Sequence, residues 1–248
     1  SSILNQNPEL FVTPSSAMPG VMLATIQAYQ SNELFAAYPR NEPAQISVRR
    51  LFEAYYEGES ASIIIDKNRS WTNNLSLITT YISTQPKIIC PVRNFDEILA
   101  SFLSLIKNNP FREGQQTRIN FVDQYLVGNN IPITDENRCL HLINSDGIVG
   151  ASYNGLKEVY ENEDTRNCLH FVEYEDLMRK PEKTVDAVYD FLGLPRYKHD
   201  YENIINMHQE DDLNHYGLAD MHMVRPSISP RSISLDIVPE KVREAVKN

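Results

Sequence analysis

Short apolar runs bounded by turn residues alternate along the chain with longer stretches whose apolar positions recur at helical spacing. That is the rhythm of strands joined by crossover helices in a parallel sheet. Three runs are clear: residues 61–66 (ASIIID), 87–92 (KIICPV) and 168–173 (CLHFVE). Their β-branched and apolar residues fall on successive positions, as strands covered on both faces require. Residues 10–13 make a weaker fourth. Between these runs the pattern predicts helices over 18–30, 43–56, 73–83, 95–107, 150–161 and 181–192, each opening near a capping residue or a first-turn proline. Residues 108–144 are more polar and irregular and read as a helical insertion or lid beside the sheet. From His208 onward prolines recur and periodicity fades, so this tail is expected to wrap the surface without forming a core element. No internal repeat or low-complexity linker interrupts the chain, and residues 1–248 read as a single α/β domain.

Composition narrows the classes of partner. Lys and Arg total 23 against 33 Asp and Glu, a formal net charge of −10. Such a balance disfavours a sequence-independent grip on nucleic acid or on an anionic membrane, so any anion site must be local. The three cysteines, Cys90, Cys139 and Cys168, form no CxxC pair and read as buried free thiols in a reducing, cytoplasmic setting. The six histidines are scattered and no HExxH or Cys/His pattern occurs, so no metal is expected. No apolar run approaches the ~20 residues of a membrane span. The opening SSILNQNP lacks a methionine and reads as the end of a helix already under way upstream, stopped near Pro8.

Ligands of an open parallel sheet bind beyond the carboxyl ends of its strands, which directs attention to the residues after Ile65, Val92 and Glu173. After the first comes DKNRSW, where Lys67 and Arg69 would share one side if the extended backbone continued. After the second comes RNFDEILAS, with Arg93 at the strand end and Ser101 two turns into the next helix, a guanidinium and a hydroxyl able to hold one phosphate. Taken alone, either segment reads equally well as a solvated turn. The third run is more specific: VEYEDL, then MRKPEKT, then VDAVYDFLGLP.

Strand, YEDL, proline-started helix and FLGLP together resemble the C-terminal half of the nucleotide-dependent sulfotransferases, which transfer a sulfuryl group from 3′-phosphoadenosine 5′-phosphosulfate (PAPS) and release PAP. The resemblance extends over nearly the whole chain. It implies a P-loop-NTPase-like three-layer fold, a parallel sheet flanked by helices. It implies that Arg93 and Ser101 hold the donor 3′-phosphate, that Tyr174 meets the adenine, that Lys67 meets the transferring group, and that Arg225, in HMVRPS, adds a late phosphate contact. Where many members carry Lys-x-His with the histidine as base, this chain has Arg69. The family's phosphosulfate loop, a Gly-x-x-Arg-Ser-Gly-Thr-Thr turn, does not occur in the sequence and is expected immediately upstream of Ser1. The implied reaction is sulfuryl transfer to a hydroxyl or amine of a small-molecule or carbohydrate acceptor.

The base stays unassigned, with Asp66, His215 and His222 candidates by chemistry alone. Trp71, Tyr55, Tyr56 and Tyr125 either line a sugar or aromatic pocket or belong to the core. Two other functions remain open: a P-loop kinase, although neither GxxxxGK[ST] nor an acidic metal ligand after a strand is present, and a sulfotransferase-like nucleotide-binding protein without catalysis.

Overall fold

The computed structural model describes residues 1–111, 118–230 and 232–246. Four short strands lie where the apolar runs predict them: β1 (Leu10–Val12), β2 (Ile63–Ile65), β3 (Ile88–Val92) and β4 (Leu169–Glu173). β1 pairs with β2 in parallel, Val12 opposite Ile65, and β3 pairs with β4 in parallel, Val92 opposite Glu173. Among the described residues the strands form these two parallel ladders and no longer continuous sheet.

Helices surround them: α1 (Met18–Gln30), α2 (Glu33–Ala37), α3 (Asn41–Tyr55), α4 (Leu75–Leu77), α5 (Phe95–Asn108), α6 (Phe121–Gly128), α7 (Asp135–Ile143), α8 (Ile148–Glu161), α9 (Tyr174–Arg179), α10 (Pro181–Leu192), α11 (Asp212–Tyr216) and α12 (Glu240–Ala245). α4 is the middle of a mixed segment, with a 3-10 turn before it (Thr72–Asn74) and a π-helical turn after it (Ile78–Ile82). α10 starts on Pro181, whose missing N–H no helix start needs, and stops at Gly193, which supplies the left-handed φ of 74°. The opening residues form a 3-10 turn, Leu4–Gln6, that ends two residues before Pro8.

α5 buries Leu99, Ala100, Leu103 and Ile106, a stripe at three- and four-residue spacing. Against it pack Val122, Cys139 and Leu142 from the segment between α5 and α8, and Leu218, Val238 and Val242 from the tail. The tail therefore does not merely wrap the surface: Leu218, Val238 and Val242 are almost fully buried. Single apolar residues in irregular or very short elements leave no periodic trace, so their burial is set by tertiary packing alone. The expected insertion over 108–144 contains α6 and α7; its residues 112–117 lie outside the described residues. At the other end of the chain, Leu10 of β1 packs with Val185 and Tyr189 of α10. Asn7 adds a side-chain hydrogen bond of 3.1 Å to the Tyr189 hydroxyl.

Candidate active site

The strand register creates the site. Because Val92 and Glu173 are the last paired residues, Arg93 and Tyr174 leave the β3–β4 ladder side by side. The Arg93 guanidinium carbon lies 4.1 Å from the centroid of the Tyr174 ring, a cation over an aromatic face. Arg93 Nε donates to Glu97 Oε2 at 2.7 Å, in the first turn of α5. Ser101 follows Glu97 by four residues, so Arg93, Glu97 and Ser101 step along one side of the strand–helix junction. The ion pair is only partly exposed, with side-chain exposures of 19% and 27%, so the guanidinium is held in place, and among the described residues its terminal nitrogens make no hydrogen bond.

The β1–β2 ladder delivers Lys67 in the same way. Thr13 N–H donates to Ile65 O at 3.1 Å, and Lys67 N–H donates to Thr13 Oγ1 at 2.7 Å, carrying the pairing two residues past the strand. Arg225 sits in the tail beside residues 201–204, where Ile204 N–H donates to Pro226 O at 2.7 Å and Ile228 N–H to Tyr201 O at 3.0 Å. Lys67, Arg93, Ser101, Tyr174 and Arg225 all line one cavity of about 610 Å³. Pro14, just past β1, lines it too, so all four strands end on this cavity.

The neighbours of Lys67 behave differently from the extended reading. Asn68 Oδ1 accepts from Ser70 N–H at 2.7 Å and turns the chain, and Arg69 is exposed and does not line the cavity. Asp66 accepts from Trp71 Nε1 at 2.6 Å and from the hydroxyls of Ser16 and Tyr56. Burial, then the bond to this carboxylate, pushes the Tyr56 hydroxyl well above the ordinary phenol range. Asp66 is thus an anchor for buried donors and does not line the cavity. Trp71 and Tyr56 belong to the core with Met18, Met22, Val48 and Leu77. Tyr125 stacks on His141 at 3.8 Å, and neither it nor Tyr55 lines the cavity. His215 is exposed and also lies outside the lining.

His222 does line the cavity. Its Nδ1 lies 2.6 Å from Asp212 Oδ1 and 3.6 Å from Glu210 Oε2, and its backbone N–H donates to Asp212 Oδ2 at 2.7 Å. Asp212 and Glu210 carry no recognisable motif, being ten and twelve residues away in an irregular tail, and sequence reasoning missed both. The only available signal was the concentration of acidic residues at 210–212 preceding a histidine, too common a pattern to single out.

The sequence profile of the sulfotransferase domain family matches residues 67–223. Among solved structures, the sulfotransferase domain from the curacin biosynthetic pathway superposes with a TM-score of 0.53 at 13% identity, covering 99% of this chain and 91% of that one. The sulfotransferase domain from the Synechococcus PCC 7002 olefin synthase gives 0.46 at 18% identity, covering 100% of this chain and 88% of that one. No curated protein matches the sequence.

Proposed function

The chain belongs to the sulfotransferase domain family, and on that premise we propose that it transfers a sulfuryl group from PAPS to a hydroxyl or amine of a small-molecule or carbohydrate acceptor, with residues 1–248 acting as one domain. The observation that carries this reading is the convergence of Lys67, Arg93, Ser101, Tyr174 and Arg225 on one cavity from three strand ends, one helix and the tail. Three cations, a hydroxyl and an aromatic ring suit a phosphorylated adenosine: guanidinium and hydroxyl for phosphate oxygens, the ring for the base. The unpaired Cys90, Cys139 and Cys168 support a cytoplasmic setting.

When bound, the donor supplies the sulfuryl group and a phosphate leaving group. Arg93 and Ser101 would hold the 3′-phosphate and Tyr174 the adenine, fixing register without acting at sulfur. Arg225, exposed at the rim, would add a late contact to phosphate. Lys67 would neutralise charge that grows on the sulfuryl oxygens and the departing oxygen, an interaction that strengthens in the transition state. Incubating the full-length protein with sulfur-labelled PAPS and a panel of hydroxyl and amine acceptors tests the reading. Label transfer is expected, and Lys67→Ala should lower kcat by about 100-fold with donor KM nearly unchanged. Donor binding with no transfer to any acceptor would instead favour a nucleotide-binding protein without catalysis, the reading that Arg69 in place of histidine keeps open.

A further inference from the structure

Arg69 is exposed and does not line the cavity, and Asp66 is taken up by Ser16, Tyr56 and Trp71, so the reaction needs its proton acceptor from elsewhere. Two imidazoles line the cavity, those of His208 and His222. The His208 ring packs edge-on against Phe11 at 5.7 Å and has no carboxylate partner among the described residues. His222 is built differently. Asp212 holds it twice, one carboxylate oxygen on its backbone N–H at 2.7 Å and the other on its Nδ1 at 2.6 Å. The Tyr216 ring lies edge-on to it at 5.6 Å, limiting rotation.

The turn between these partners is unusual. Gly217 has a φ of 67° and Asp220 a φ of 66°, which reverses the chain so that His222 comes back over Asp212. A Cβ at Gly217 would meet the Ile119 carbonyl oxygen at 2.6 Å and that of Arg118 at 2.8 Å, so glycine is required there on both counts. Asp212 itself is 7% exposed, and a buried carboxylate on Nδ1 selects the tautomer with the proton on that nitrogen. Nε2 is then left with its lone pair and has no hydrogen-bond partner among the described residues.

We propose that His222 is the general base that deprotonates the acceptor, with Asp212 as its positioning residue; this rests on the sulfuryl-transfer reading above. As the acceptor oxygen bonds to sulfur, its proton passes to Nε2 of His222. The bond from sulfur to the donor phosphate breaks, and its electron pair leaves with the phosphate. The imidazolium so formed is stabilised by Asp212 and, at longer range, by Glu210, and returns its proton to solvent when the product departs.

The test uses the full-length protein and three readouts. Nitrogen-15 spectra of labelled histidine, assigned with His222→Gln, are expected to show the neutral His222 ring protonated on Nδ1, and Asp212→Asn to convert it to a mixture of tautomers. With water standing in the acceptor's place, His222→Gln should slow sulfate release from PAPS by about 100-fold or more. Calorimetric PAP affinity should stay within about threefold of wild type in the same variant, since the ring takes no part in holding the donor. A ring protonated on Nε2, or sulfate release by His222→Gln at the wild-type rate, overturns the assignment while leaving the donor reading intact. Failure of the wild type to bind PAP removes the donor reading, and the base with it.

Discussion

Asp66 and Lys67 are adjacent in the chain yet belong to different parts of the molecule. Lys67 faces the cavity, whereas Asp66 collects hydrogen bonds from Trp71, Ser16 and Tyr56. Replacing Asp66 by Ala leaves the Trp71 and Tyr56 donors, both in the core, without an acceptor. A loss of about 3 kcal/mol in urea unfolding is expected, and an unchanged midpoint would contradict the anchoring role. At this scale the sequence displays the residues that follow strand ends. Lys67, Arg93 and Tyr174 stand at offsets that a parallel sheet dictates, and Ser101 at a helical offset from Arg93. It does not display His222 with Asp212, because their pairing depends on left-handed turns at Gly217 and Asp220 and on packing against residues 118–119.

Among elements, the segment between α5 and α8 shows how a polar, irregular stretch becomes part of the fold. α6 and α7 are capped by Asn120 and Thr134, whose side chains accept from the N–H groups of Asp123 and Asn137. Arg138 of α7 then grips Asp123 of α6 with two hydrogen bonds, at 2.7 and 2.8 Å, and Asp135 with a third at 2.9 Å. Lys107 at the end of α5 reaches Asp135 at 2.8 Å. Burial works against the Asp135 charge, but these two cations outweigh it and hold the carboxyl below its ordinary value. With Asp123 almost fully buried, Arg138→Ala strands a carboxylate, and chemical denaturation should register a loss of about 3 kcal/mol. A loss below about 1 kcal/mol would mean that the network is a surface ornament. The long helices were legible because their apolar stripes repeat, as in α5, whereas α2, α9, α11 and α12 are too short to show a period and are fixed by their neighbours.

For the whole molecule, the balance of −10 hides a local reversal of sign. Lys67, Arg93 and Arg225 come from positions spread over more than half of the chain and meet around one cavity, while Glu210 lines the same cavity beside His222 and Asp212 pairs with that imidazole. Strand order and the crossover helices bring Lys67 and Arg93 together, which is why the fold class and that part of the wall could be read from local pattern. The contribution of the tail could not be read that way. Leu218, Val238 and Val242 join the core through isolated contacts, and the same excursion carries His222 and Arg225 to the site. The most direct check of the account is a calorimetric titration of the full-length protein with PAP, repeated with Arg93→Ala. Micromolar binding by the wild type that weakens at least about 10-fold in the variant is the predicted result, a charge-assisted pair being worth that much. Correctly folded wild type that takes up no PAP would contradict the assignment of this cavity as a donor site.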